Sequence, residues 1–307
     1  MEHSLTLWIA FNAFIVAMLI VDLMVFNRKE HEISIKESLG WTGVWVLLSV
    51  IFGIGLYFYM DPQSSLDYFA GYLIEKSLSV DNIFVFILVF SYFNVPAKYQ
   101  HKVLFWGIFG ALIMRFLFIF LGVALIERFE WIIYVFGAFL VYTGIKMAFE
   151  TEKEVHPERN PILKLVRRIL PVSNQFDGAH FTTRIDGRKM FTPLLVVLVV
   201  IETTDIVFAI DSIPAILSIT HDRFIVYSSN AFAILGLRAL YFALSGMMKI
   251  FHYLHFGLAA ILSFVGIKML IADFYHIPTH YALGFVALSL IVAIGASLLF
   301  PKQENED

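Results

Sequence analysis

The 307-residue sequence holds no cysteine. That excludes a disulfide framework, a thiolate metal site, haem attachment through cysteine and a cysteine nucleophile. Charge is scarce as well: Asp, Glu, Lys and Arg make up 15% of the chain, against about 25% in a soluble domain. So little polar surface cannot cover a water-soluble globule, which excludes a soluble enzyme, a DNA-binding protein and a disordered tail. What is present is apolar. Hydrophobic residues form 59% of the chain and the mean hydropathy is +0.79, as expected for a protein lying mostly inside a bilayer. The net charge of -3 says little, because in a membrane protein the placement of charge matters more than its sum.

A helix needs about 20 apolar residues to cross the hydrocarbon core. Nine stretches meet or approach that length: 5–26, 39–60, 66–93, 103–126, 131–149, 191–219, 224–248, 254–272 and 281–300. The first has no Lys or Arg before it and no small-residue cleavage site, so it is expected to be a retained span. Arg28, Lys29 and Lys36 follow span one; Lys98 and Lys102 precede span four. Lys153, Arg159, Lys164, Arg167, Arg168, Arg184, Arg188 and Lys189 lie between spans five and six, Lys249 follows span seven and Lys302 follows span nine. The alternate connections carry only Arg128 and Arg223. By the positive-inside rule the N-terminus is outside, the C-terminus is cytoplasmic and the span count is odd. The expected fold class is all-α, a polytopic transmembrane bundle of about nine spans.

The 150–190 connection is then cytoplasmic. Asn160-Pro161 starts a predicted short helix in which Ile162, Leu163, Leu165, Val166, Ile169 and Leu170 alternate with Lys164, Arg167 and Arg168. This basic amphipathic pattern suits the inner leaflet. Asp186-Gly187 signals a hairpin turn.

The chain also carries an internal repeat. Gly144-Ile145-Lys146-Met147 ends span five and Gly266-Ile267-Lys268-Met269 ends span eight, while Arg115 and Arg238 lie at matching distances upstream. Asp81 stands six residues after Glu75, as Asp211 does after Asp205. Three spans per unit give opposite orientations, so an inverted repeat is expected, with a site near the midplane where the units meet. The chain divides into two N-terminal helices (1–65), repeat 1 (66–149), the cytoplasmic loop (150–190), repeat 2 (191–275), and a last helix with a short tail (276–307).

Ionisable residues inside the spans mark the site. They are Asp22 in span one; Glu75, Lys76 and Asp81 in span three, beside Asn82; Arg115 in span four; Glu202, Asp205 and Asp211 in span six, beside Ser212; and Arg238 in span seven. Each costs about 2.5–3.5 kcal/mol to insert, so together they must be paired, protonated or bound to something. Arg115 and Arg238 are read as structural partners of carboxylates, and Lys76 as a local neutraliser of Glu75. Lys146 and Lys268 are read as snorkelling anchors. Asp22 is either an interfacial residue or part of an ion path. Pairing leaves about three carboxylates in excess. Glu202 and Asp205 share a helix face. The six-residue offsets do not aim both acids of a pair at one point on a straight helix. A broken helix would, and Pro214 removes one backbone bond near Asp211. Carboxylates, Asn82 and Ser212 make an all-oxygen shell, which suits Mg²⁺, Mn²⁺ or Ca²⁺ better than Zn²⁺ or Cu⁺. The ten histidines all fall in connections or near span ends.

The segments Glu75-Lys76-Ser77-Leu78-Ser79-Val80-Asp81-Asn82 and Glu202-Thr203-Thr204-Asp205-Ile206-Val207-Phe208-Ala209-Ile210-Asp211-Ser212-Ile213-Pro214-Ala215 resemble the two signature stretches of the TerC family of integral membrane proteins. Val21-Asp22-Leu23-Met24-Val25-Phe26 is similar to that family's first-span pattern. The resemblance covers residues 5 to 300, and the Alx-type branch, with its long cytoplasmic loop between repeats, is the similar one. It implies efflux of Mn²⁺ as a transported substrate, with Glu75, Asp81, Asn82, Glu202, Asp205, Asp211 and Ser212 holding the metal. The residues alone do not separate Mn²⁺ from Ca²⁺ or Mg²⁺. A proton-coupled secondary exporter is the leading expectation, beside a Ca²⁺ or Mg²⁺/H⁺ carrier and an accessory protein supporting metal loading of others. A membrane enzyme is not expected: the Gly-x-Gly-Asp stretch of an intramembrane aspartyl protease and the acidic motif of a phosphotransferase are missing. No permanently bound cofactor and no nucleic-acid partner are expected. Divalent cation, protons and the lipid bilayer are, and oligomeric state is left open.

Overall fold

The computed structural model describes residues 4–26, 35–129, 131–149, 171–173, 175–185, 187–245, 253–275 and 277–299, with backbone alone at 23–26, 81, 84 and 211. The predicted amphipathic helix after Asn160 lies outside the described residues. Among those described, ten helical segments occur: α1 (Leu5–Phe26), α2 (Ile35–Tyr59), α3 (Pro62–Tyr92), α4 (Ala97–Arg128), α5 (Ile132–Phe149), α6 (Pro193–Leu217), α7 (Arg223–Ile234), α8 (Leu237–Ser245), α9 (Leu254–Leu270) and α10 (Thr279–Leu299). Since α7 and α8 are halves of one span, they correspond to the nine stretches expected. Seven spans are long and apolar enough to cross a membrane by length and composition. The other two are α3, which carries the acidic signature, and α9, which is 17 residues long. The protein is an all-α polytopic membrane protein.

Helix ends are set by local chemistry. Asp61 caps α3, its carboxylate accepting from the Ser64 N–H at 2.9 Å and hydroxyl at 2.6 Å, with Pro62 in the first turn. Those two bonds hold its carboxyl below the usual carboxylate range. Asp222 caps α7 by accepting from the N–H groups of Phe224 and Ile225. Between α5 and α6, β1 (Thr182–Ile185) pairs antiparallel with β2 (Arg188–Phe191). This hairpin is the one expected at Asp186-Gly187, and Gly187 takes the left-handed φ of +76° its turn requires.

The helices show why uniformly apolar sequences still sort into faces. On α1, Phe11, Ile15, Leu19 and Asp22 are buried, while Leu5, Ile9 and Phe14 are exposed. One face meets protein and the rest meets lipid, so hydrophobicity all round is no obstacle. Phe11, Phe52, Phe224 and Phe232 pack ring against ring and tie α1, α2 and α7 together.

The break in a helix lies elsewhere than Pro214 suggested. Helix α6 continues through Pro214. Span seven breaks instead at Leu235-Gly236, where Gly236 has φ +77° and a Cβ would lie 2.5 Å from the Trp45 ring. A proline frees only the carbonyl four residues back, whereas a left-handed glycine redirects the chain.

Helices α5 and α9 approach closely through glycines. A Cβ on Gly144 would stand 2.7 Å from the Ala259 carbonyl oxygen, and one on Gly266 would stand 2.6 Å from that of Gly137. The two contacts are interchanged by a shift of 122 residues (137 with 259, 144 with 266), so this packing is locally two-fold.

Candidate functional site

Arg115, 1% exposed near the middle of α4, is the hub of a polar centre. Its Nη1 donates to Glu75 Oε1 of α3 in an ion pair, to Asn230 Oδ1 of α7 at 2.7 Å and to Ser212 Oγ of α6 at 3.3 Å. Its Nη2 reaches Asp205 Oδ1 of α6 at 3.4 Å. Four helices therefore meet on one guanidinium. The spacing explains the convergence. Glu75, Ser79 and Asn82 lie at i, i+4 and i+7 on one face of α3, and Asp205 and Ser212 at i and i+7 on one face of α6.

Half of each carboxylate is left over. Glu75 Oε2 and Asp205 Oδ2 are buried without a hydrogen-bond partner among the described residues, as are Asn82 Oδ1 and Ser79 Oγ. Two carboxylates share one guanidinium, with the Lys76 ammonium close enough to Glu75 to interact electrostatically, and spare buried acceptors are costly unless something donates to or coordinates them. The donor set is oxygen only, which fits a hard divalent cation.

The other expected site residues are distributed differently. Glu202, half-buried, lies against α4 where Gly110 lacks a side chain, one turn from Asp205 on the same helix. It is not among the Arg115 contacts. The side chains of Asp81 and Asp211 lie outside the described residues. Among the described residues, no three of His, Asp and Glu form a metal-holding group.

The buried cations take separate partners. Lys76 Nζ donates to the Ala233 carbonyl at 3.1 Å and stays close enough to Glu75 to interact with it electrostatically. It thus satisfies a backbone group beside the α7–α8 break. Arg238, on α8, is 3.0 Å from the Asp22 carboxylate and also donates to the Asp22 carbonyl. Asp22 is thereby a structural partner, and the structure gives it no contact with the Arg115 centre. Lys268, expected to snorkel, is 7% exposed and donates to the Ser218 carbonyl at 3.1 Å. Lys146, its repeat counterpart, is exposed.

Two residues were missed from sequence. Asn230 completes the Arg115 hub. The polar run Ser228-Ser229-Asn230 inside an apolar span was the available signal. Asp67 is buried eight residues before Glu75 on α3, about 12 Å of helix rise away. It accepts from Gln63 at 2.7 Å and Thr279 at 3.0 Å, and Gln63 also donates to Thr279 at 3.0 Å. This cluster joins α3 to α10 at the end expected to face outward. At the same end Arg223 pairs with Glu127 at 2.5 Å, joining α7 to α4.

Comparison with known proteins agrees with this architecture. The family described as "Integral membrane protein TerC family" matches residues 60–305. The chain is 52% identical over 293 residues to "Uncharacterized membrane protein STKORF319" of Myxococcus xanthus, covering 95% of this chain and 92% of that protein. It is 48% identical over 290 residues to "Putative membrane-bound redox modulator Alx" of Salmonella typhi (91% and 90% covered) and 47% identical over 290 residues to the protein of the same description in Escherichia coli strain K12 (91% and 90%). No solved structure matches. With both signature acids converging on one buried arginine and the family match spanning most of the sequence, the chain belongs to the TerC family of integral membrane proteins.

Proposed function

We propose that the protein is a secondary transporter that exports Mn²⁺ across the bacterial cytoplasmic membrane in exchange for protons, with its N-terminus outside and its C-terminus in the cytoplasm. One observation carries the reading: the buried, unpartnered oxygens Glu75 Oε2, Asp205 Oδ2, Asn82 Oδ1 and Ser79 Oγ beside the Arg115 hub. They offer a hard cation an all-oxygen coordination set in mid-membrane, and the acidic residues Asp81 and Asp211 stand on the same two helices. Glu202 would lie one turn along the path. The locally two-fold packing of α5 and α9 supports an inverted repeat of three-helix units, and rocking of one unit on the other would alternate access to the centre. Carboxylates that release protons on binding metal would make transport depend on pH.

The test is cellular Mn²⁺ accumulation in a strain lacking other exporters. Wild-type protein is expected to lower it, and Asp205→Asn to leave it at the empty-vector level. Equal accumulation in wild-type and Asp205→Asn cells would remove the site assignment. A metal competition series on purified protein separates Mn²⁺ from Ca²⁺ and Mg²⁺, and collapse of the pH gradient in vesicles tests proton coupling. The words "redox modulator" attached to the Alx relatives suggest a second reading. A redox role here would not run through a thiol, since the chain has no cysteine; altered metal supply to redox proteins would connect the two.

A further inference from the structure

Arg115 does not pair as a structural arginine does. A structural guanidinium forks onto both oxygens of one carboxylate. Here it takes one oxygen from each of two carboxylates and two more from neutral side chains: Glu75 Oε1, Asp205 Oδ1, Asn230 Oδ1 and Ser212 Oγ. Nη1 carries two hydrogens and faces three of these acceptors, and the contacts to Ser212 and Asp205 are long, at 3.3 and 3.4 Å. The guanidinium thus sits in an oxygen shell drawn from α3, α6 and α7, close to Glu75 and Asn230 and at longer range from Ser212 and Asp205, the kind of shell a hard divalent cation would occupy. Arg115 and Glu75 belong to the first three-helix unit, and Asp205, Ser212 and Asn230 to the second, so the contacts bridge the two units that would have to move.

We propose that Arg115 is a tethered counter-cation: it fills the seat when no divalent cation is bound, is displaced on binding, and returns after release. The proposal rests on the export reading of this same site. Its consequence is specific. On the return leg the centre carries protons rather than metal, and any of its acids left ionised would be exposed to the bilayer interior during that movement. The tether compensates them, so the empty carrier can reorient. The loaded carrier does not need it.

The full-length protein in liposomes distinguishes these legs. Net efflux of Mn²⁺ into Mn²⁺-free medium requires return of the empty carrier. Isotope exchange with Mn²⁺ on both sides does not. Arg115→Gln is expected to lower net efflux at least about tenfold while exchange stays within about threefold of wild type. Removing the competitor should also tighten Mn²⁺ binding in detergent by about tenfold. Arg115→Lys, which keeps a shorter tethered cation, should give an intermediate ratio of net efflux to exchange. This variant carries the test if the glutamine variant does not fold. A ratio equal to wild type in the folded variants, or net efflux and exchange falling together, overturns the proposal. Wild-type protein that moves no Mn²⁺ in either assay removes the export reading itself, and the proposal with it.

Discussion

Arg115 and Arg238 lie 31 and 30 residues before the lysines of the two Gly-Ile-Lys-Met stretches and are both buried, at 1% and 2% exposure. They nevertheless do different work. Among the described residues, Arg238 meets Asp22 through both its carboxylate and its carbonyl, and binds α1 to the second half of the broken span. The pair is neutral. Arg115 meets two acids and two neutral side chains from three other helices, and the acids outnumber it. Similar placement of a charge in the sequence therefore does not fix its role. The role follows from how many carboxylates converge on it.

The largest effects should come from the side with excess acid. Glu75→Gln and Asp205→Asn are expected to reduce Mn²⁺ efflux at least about tenfold per molecule of folded protein, because each removes an oxygen charge from the centre. Asp22→Asn should act differently: it leaves Arg238 buried without its counter-charge, at a cost of about 3–5 kcal/mol. Its protein level and thermal midpoint in detergent should fall, while efflux per surviving molecule persists. Equal loss of specific efflux in Asp22→Asn would erase the contrast. Next in size is a double exchange. Asp22→Leu with Arg238→Met removes a neutral pair, and stability should return to within about 1–2 kcal/mol of wild type with transport retained. Glu75→Leu with Arg115→Met is equally balanced in charge, yet should still abolish efflux. Thermal midpoint and vesicle flux, measured on the same preparations, separate the two outcomes.

Much of this contrast was legible in the sequence, and the part that was not has a physical cause. Apolar runs and the side preference of Lys and Arg gave the spans because a bilayer imposes one length and one charge rule on every helix. Glu75, Asp205 and Ser212 were identified because charge and polarity in mid-membrane are expensive. Their partners were harder. Lys76 adjoins Glu75 in sequence and interacts with it electrostatically, but adjacent helical residues point about 100° apart, and the hydrogen bond of its ammonium goes to the Ala233 carbonyl. Asn230 and Asp67 are tied into the structure by residues more than 100 positions away, and no local pattern announces such pairs. The break at Gly236 depends on a positive φ that only the folded chain reveals.

A third test asks whether movement is confined to the Arg115 side. Gln63 and Thr279 link α3 to α10 at the end expected to face outward. Because the chain has no native cysteine, a Gln63→Cys, Thr279→Cys pair can be cross-linked without background. If α3 moves against α10 during export, oxidation should block efflux and reduction should restore it. Cross-linked protein transporting at the wild-type rate would mean that this contact stays closed throughout the cycle.

The smallest effect should come from the repeat-related lysines, and it extends the same argument. Lys268 is buried and donates to the Ser218 carbonyl, close enough to Asp67 to interact electrostatically. Lys268→Gln shortens the side chain and removes a buried charge from that cluster. Loss of a charge-assisted bond to a buried carbonyl costs about 1.5–3 kcal/mol, so the thermal midpoint should fall measurably. Lys146, likewise in the last turn of its helix, is exposed, and an exposed substitution is ordinarily within about 0.5 kcal/mol of neutral. Lys146→Gln should therefore leave the midpoint almost unchanged. If the two lysine variants lose equal stability, burial is not what separates repeat-related cations, and the reading of Arg115 against Arg238 loses its physical basis.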